Sequence, residues 1–209
     1  NLAVTVAPVA DAPTLSTAAA SGNEDSAIAL SITPALTDAA ETLSISIAGV
    51  PTGATLSAGT NLGGGVWSLT AGQLSGLTIT PPANRDTDFT LTVTATSTDG
   101  ASTASTVATL AVTVNPVADA PALSVTDATG TEDTAIALTI AASLADIDGS
   151  ESLAIVISNV PAGATLSAGT NLGSGSWSLT AAQLTGLTIT PPHNDASDFT
   201  LTVTATATD

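Results

Sequence analysis

Apolar and hydroxyl residues alternate in short runs along the whole chain. Thr42 to Ile47 (Thr-Leu-Ser-Ile-Ser-Ile) and Phe89 to Thr96 (Phe-Thr-Leu-Thr-Val-Thr-Ala-Thr) put an apolar side chain at every second position. That is the period of a strand with one face on a core and one in water. The same reading predicts strands at Pro13 to Ala18, Ala27 to Ile32, Leu77 to Thr80 (ended by Pro81-Pro82) and Val107 to Val114. Gly22-Asn23-Glu24-Asp25 reads as a turn, and Thr70 to Leu74 as one helical turn. Ala54 to Ser57 and Val66 to Leu69, joined by a Gly/Asn-rich loop, predict a hairpin with a long tip. A second set follows at Ala135 to Ile140, Ser152 to Ile157, Ala164 to Ser167, Ser176 to Leu179, Leu187 to Pro192 and Phe199 to Ala205. No amphipathic helix competes. About seven short strands per hundred residues, with turn signals between them, predict an all-β chain of antiparallel β-sandwiches.

The second set is a copy of the first. Val6-Ala7-Pro8-Val9-Ala10-Asp11-Ala12-Pro13 returns as Val114-Asn115-Pro116-Val117-Ala118-Asp119-Ala120-Pro121, 108 residues downstream. A period of that length is a whole domain, and the prolines make the segment a stiff extended joint. The boundaries read as 1–7, the last strand of a preceding repeat; 8–114, the first repeat; and 115–209, a second repeat lacking its final strand. Leu2-Ala3-Val4-Thr5-Val6 equals Leu110-Ala111-Val112-Thr113-Val114, so the chain is out of phase with its own domains. It reads as a window on a longer array. The alternative is that residues 2–6 complete the second domain of a neighbouring copy by strand addition.

Composition narrows the partners. Eighteen acids face one base, Arg85, for a net charge of −17. Nucleic acid, which needs clustered Lys and Arg, is excluded, and so is an anionic membrane surface. No apolar run is long enough for a membrane helix, so no membrane insertion is expected. The absence of Cys removes disulfides. Self-repulsion of this size calls for bound cations.

The acids gather in loops. Strands that run alternately up and down, with the pieces around Trp67 and Leu77 counted as one crossing, sort the loops between two ends. Glu24, Asp25, Asp86 and Asp88 fall at the trailing end of the first repeat, and the joint adds Asn115 and Asp119. Asp146, Asp148, Glu151 and Asp209 fall at the leading end of the second. The leading end of the first repeat holds Asp11, Asp38, Glu41 and Asp99. Converging carboxylates repel one another, and a hard cation that takes six to eight oxygens in irregular loops resolves this: Ca²⁺. Asp146-Ile147-Asp148-Gly149-Ser150-Glu151 resembles the start of a calcium loop, whereas Asp38-Ala39-Ala40-Glu41 lacks the second Asp and the Gly. Glu132 and Asp133 repeat Glu24-Asp25 and would serve a further domain, while Asp127, Asp195 and Asp198 read as surface residues.

Together, Glu24-Asp25, Asp-x-Asp-Gly-Ser-Glu at 146–151, the Trp-Ser-Leu-Thr strands, Pro-Pro, Asp-Phe-Thr-Leu-Thr-Val-Thr-Ala-Thr and the joint resemble the tandem Ig-like extender repeats of large bacterial RTX adhesins. The layout of acids is also similar to cadherin junctions. The resemblance implies Ig-like or cadherin-like sandwiches joined end to end, Ca²⁺ at the junctions, and secretion by a type I system. It implies an extracellular place on the bacterial surface, where such spacers project a distal binding domain for adhesion and biofilm. The partners are then neighbouring repeats of the same polypeptide.

Two other functional classes fit the sequence less well. A carbohydrate- or surface-ligand-binding module would need exposed aromatics, but Trp67 and Trp177 sit in alternating strands and read as core plugs. The Thr rows 90-92-94-96 and 200-202-204-206 read as ordinary solvent faces rather than an ice-binding surface. An enzyme is not expected, because one unrepeated His (His193), one Arg and no Lys or Cys leave acid–base work to carboxylates alone.

Overall fold

A computed structural model describes residues 1–146 and 149–209. Asp148 therefore lies outside the described residues. The chain divides into two compact units, Asn1–Val117 and Ala118–Asp209. Both are all-β.

In unit 1 the strands are β1 (Thr14–Ala18), β2 (Ala20–Asn23), β3 (Ile28–Ala29), β4 (Ser31–Ala35), β5 (Thr42–Ala48), β6 (Thr55–Leu56), β7 (Thr60–Gly63), β8 (Val66–Thr70), β9 (Thr78–Thr80), β10 (Phe89–Asp99) and β11 (Ser102–Asn115). One layer is a six-stranded sheet in the order β2-β11-β10-β5-β8-β7. The other consists of the pair β1-β4 and the short sheet β3-β9-β6. Inward positions of the long strands (Ile45, Ile47, Leu91, Val93, Leu110, Val112) meet Ile28, Leu30, Ile32, Leu56 and Ile79 in one buried cluster. The alternation read from the sequence thus places aliphatic side chains on the inner faces of an Ig-like β-sandwich. Trp67 is half-buried and packs on this cluster rather than filling its centre.

Unit 2 contains β12 (Ala122–Thr126), β13 (Ile136–Ala137), β14 (Thr139–Ser143), β15 (Ser152–Ser158), β16 (Thr165–Leu166), β17 (Thr170–Gly173), β18 (Ser176–Leu179), β19 (Thr188–Thr190) and β20 (Thr202–Thr208). Its larger sheet runs β17-β18-β15-β20, with β12-β14 and β13-β19-β16 opposite. Trp177 again packs half-buried on the core.

Four expectations change. First, Val66–Thr70 does not pair with the 54–57 segment: β8 forms its hairpin with β7, closed through Gly64-Gly65, while β6 crosses to β9. Gly65 is needed there, because at φ +75° an added Cβ would stand 2.6 Å from the Val50 carbonyl oxygen. Second, Gly22 and Asn23 belong to β2, which runs parallel to the end of β11, so the turn is confined to Glu24-Asp25 and the bend after it. Third, the pieces around Trp67 and Leu77 are separate strands in different sheets. The additional β7–β8 reversal restores the alternation, so the loops sort to the two ends as the parity argument expects. Fourth, β20 begins at Thr202 rather than Phe199. Residues 1–13 form no strand.

Candidate metal-binding ends of the two units

At the leading end of unit 1 the joint is stitched to the sandwich. The Asp11 amide donates to Glu41 Oε1 at 2.6 Å, and the Ala10 amide to Ser102 Oγ at 3.0 Å. Glu41 is buried at 6% exposure, and its second oxygen, Oε2, is buried with no hydrogen-bond partner. Asp38 caps the loop: its Oδ1 accepts the Ala40 amide at 2.9 Å and its carbonyl the Glu41 amide at 3.3 Å. Asp99, the last residue of β10, pairs with Ser102 at the same end.

Unit 2 repeats this. The Asp119 amide donates to Glu151 Oε1 at 2.7 Å, Glu151 is 8% exposed, and its Oε2 is buried without a hydrogen-bond partner. Asp146 is buried at 3% exposure, with the Ser150 hydroxyl 3.5 Å from its Oδ2. Asp209 directly follows β20, whose Thr208 pairs with Ser152 beside Glu151. Here Asp119, Asp146, Glu151 and Asp209 share one end.

The trailing end of unit 1 is closed by β11 and the residues after it. Glu24 is 2% exposed, its Oε1 accepts the Val117 amide at 2.9 Å, and its own amide donates to the Asn115 carbonyl at 3.0 Å. Asp88 Oδ1 accepts the Val114 amide at 2.8 Å. Asn115 Nδ2 stands 3.5 Å from Asn23 Oδ1. Asp25, at φ +52°, accepts the Asn84 amide at 2.9 Å, and Asp86 is half-buried in the same 81–88 loop.

The trailing end of unit 2 has no such cover. Glu132, the counterpart of Glu24, is exposed. Asp133 copies Asp25: its Oδ1 accepts the Asn194 amide at 2.9 Å and lies 2.7 Å from His193 Nδ1. The Asn194 amide foremost, then the His193 ring, holds the Asp133 carboxyl below its ordinary value. Asp195 is lowered by the Ser197 hydroxyl and amide. A depressed folded value gives a contribution that is present above the ordinary carboxylate range and lost as pH falls through the depressed one. An NMR titration of Asp133 should find it below its unfolded midpoint. It should stay below in His193→Ala, since the larger cause is a backbone donor; a return to the unfolded midpoint there would refute that assignment.

Ser97 adds a polar contact that the acidic pattern of the sequence does not single out. It is fully buried, and its hydroxyl donates to the Asp11 carbonyl and, at 3.3 Å, to that of Ala104. Its inward parity with Leu91, Val93 and Ala95 was the available signal; the matching position of unit 2 is Ala207. Among the described residues no three acidic or imidazole side chains already stand as a metal-ligating group. Each unit instead presents buried or amide-bound carboxylates at its ends.

No protein-family model matches the chain, and no curated protein matches it. Among solved structures it is similar to titin domains Z1Z2 in complex with telethonin, at 11% identity and a TM-score of 0.33 over 95% of this chain and 91% of that one.

Proposed function

We propose that this chain is a pair of Ca²⁺-rigidified spacer repeats from a secreted adhesin of the bacterial cell surface. One observation carries the reading. Glu41 and Glu151, at equivalent places, each hold a joint amide with one carboxylate oxygen and keep the other buried and without a hydrogen bond. A buried carboxylate oxygen without a donor is costly. The chain has one Arg and no Lys to neutralise it. A hard divalent cation is the remaining partner of suitable chemistry.

The residues fit such an ion. In unit 2, Glu151, Asp146, Asp119 and Asp209 would supply oxygens, with Asp148 adjacent in sequence. In unit 1, Asp11, Asp38, Glu41 and Asp99 would serve one end, and Glu24, Asp25, Asp86, Asp88 and Asn115 the other. The ion would supply positive charge and fix the joint; the protein's own share is to hold the acids on rigid strand ends. The seating of Trp67 and Trp177 on the cores supports a spacer over a glycan-binding module.

Ions that bind the ordered joint and not the slack one stabilise it by about 2.7 kcal/mol per site at 100-fold excess over Kd. For extracellular modules Kd is on the order of 10⁻⁴ to 10⁻³ M. The test is thermal melting followed by Trp fluorescence, in EDTA and then across a calcium titration. The melting temperature is expected to rise by on the order of 10 °C through the millimolar range. A melt that ignores calcium would defeat the proposal.

A further inference from the structure

Both repeats open on the same peptide, Pro-Val-Ala-Asp-Ala-Pro, at 8–13 and at 116–121. What each sandwich offers to hold it differs. In unit 1 hydroxyl groups do much of the holding. Ser97, fully buried on β10, donates to the Asp11 carbonyl. Thr37 Oγ1 donates to the Ala12 carbonyl at 2.8 Å, and Thr106 Oγ1 to the Pro13 carbonyl at 2.6 Å. Ser102 Oγ accepts the Ala10 amide at 3.0 Å. Every residue from Ala10 to Pro13 is thereby tied to the sandwich without any ion.

Unit 2 puts acceptors where unit 1 has donors. Ala207 pairs with Leu153 as Ser97 pairs with Leu43, so it holds the place of Ser97 without a hydroxyl. Ala145 precedes Asp146 as Thr37 precedes Asp38, so the second hydroxyl is gone as well. The acidic loop at this end has six residues, 146–151, against four, 38–41, in unit 1. Asp146 is buried at 3% exposure, whereas Asp38 is exposed and caps its own loop. A hydroxyl holds a backbone carbonyl by donating to it. A carboxylate and a carbonyl are both acceptors, and only a cation or a proton between them joins the two.

We propose that Ser97 and Thr37 form a latch that seats the leading segment of unit 1 without a cation, and that the second repeat, with acids in place of the latch, seats its own segment through calcium. The second half rests on the reading of the leading end of unit 2 as a calcium site. The two segments then respond to calcium unequally. Residues 8–13 stay seated in a chelator, whereas 118–121 loosen.

The test is amide exchange, read by NMR at Asp11 and Asp119 in the whole chain, in EDTA and in calcium. The two amides lie in the same peptide, so their intrinsic exchange rates are matched. Ser97→Ala combined with Thr37→Ala gives unit 1 the residues that unit 2 has at these places. The Val93 amide, in the middle of β10, checks that the core of that variant is intact. In EDTA the double variant should speed Asp11 exchange about tenfold or more, the effect of two lost hydrogen bonds. Ala207→Ser should slow Asp119 exchange in EDTA and leave less for calcium to add. In the unaltered chain calcium should slow Asp119 more than Asp11. An Asp11 amide that ignores the double variant would overturn the latch and leave the calcium site untouched. Calcium that slows the two amides equally would overturn the division between repeats. Calcium that slows neither would sink the calcium site itself, and the cation half of the proposal with it.

Discussion

Leu91→Ala should cost unit 1 about 2–5 kcal/mol, and Leu201→Ala should cost unit 2 less than half of that. The two leucines hold the same place in the repeat, and only their surroundings differ. Leu91 is completely buried, opposite Leu110 on β11. Its truncation leaves a cavity walled by two layers that cannot collapse. Leu201 is half-buried beside an open groove, so the truncated site is rehydrated rather than left empty. Each unit has one tryptophan, Trp67 or Trp177, which allows both units to be followed in the full chain. Denaturant unfolding with Trp177→Phe reports unit 1, and with Trp67→Phe unit 2, in dilute solution. Equal losses would mean that burial of the two leucines does not decide the cost.

Glu151→Ala should show a compound loss. Without calcium it strips the Asp119 amide of its acceptor, at a cost of about 1–3 kcal/mol. With calcium it also forfeits the ion's contribution, about 2.7 kcal/mol at 100-fold excess over Kd. Glu151→Gln separates the two effects. The amide oxygen still accepts from Asp119, so stability in EDTA should stay close to that of the parent. The charge and the second ligating oxygen are gone, so the calcium-dependent rise in melting temperature should shrink. If Glu151→Gln kept the whole calcium response, Glu151 would be a structural anchor of the joint and no more. Glu41→Gln makes the same comparison in unit 1, where the Asp11 amide takes the place of that of Asp119.

The long strands were legible because the alternation in β5, β10 and β15 is set by local chemistry, apolar inward and hydroxyl outward. The short ones were not. β3 and β6 have two residues each, too few to display a period, and their pairing with β9 is decided by the opposite layer. β2 depends on the end of β11, 92 residues later, and its counterpart at 128–131 of unit 2 forms no strand. Long-range ladders of this kind leave no local trace. The ends were more legible than the middle. Parity grouped Glu24, Asp25, Asp86 and Asp88, to which the joint adds Asn115, and separately Asp38, Glu41 and Asp99 with Asp11. That Glu41 and Glu151 are the buried members, while Asp38 caps its own loop, is decided by the folded structure. The Asp25–Asn84 and Asp133–Asn194 bridges escaped notice because they depend on left-handed backbone at all four residues.

The central claim is that calcium stiffens the joint between repeats, and small-angle scattering tests it most directly. The sample is the whole chain, measured over a dilution series. The account predicts that maximum dimension rises and its distribution narrows as calcium is raised from EDTA through about 1 mM, and that chelation reverses the change. Scattering curves that superimpose across the whole titration would contradict it.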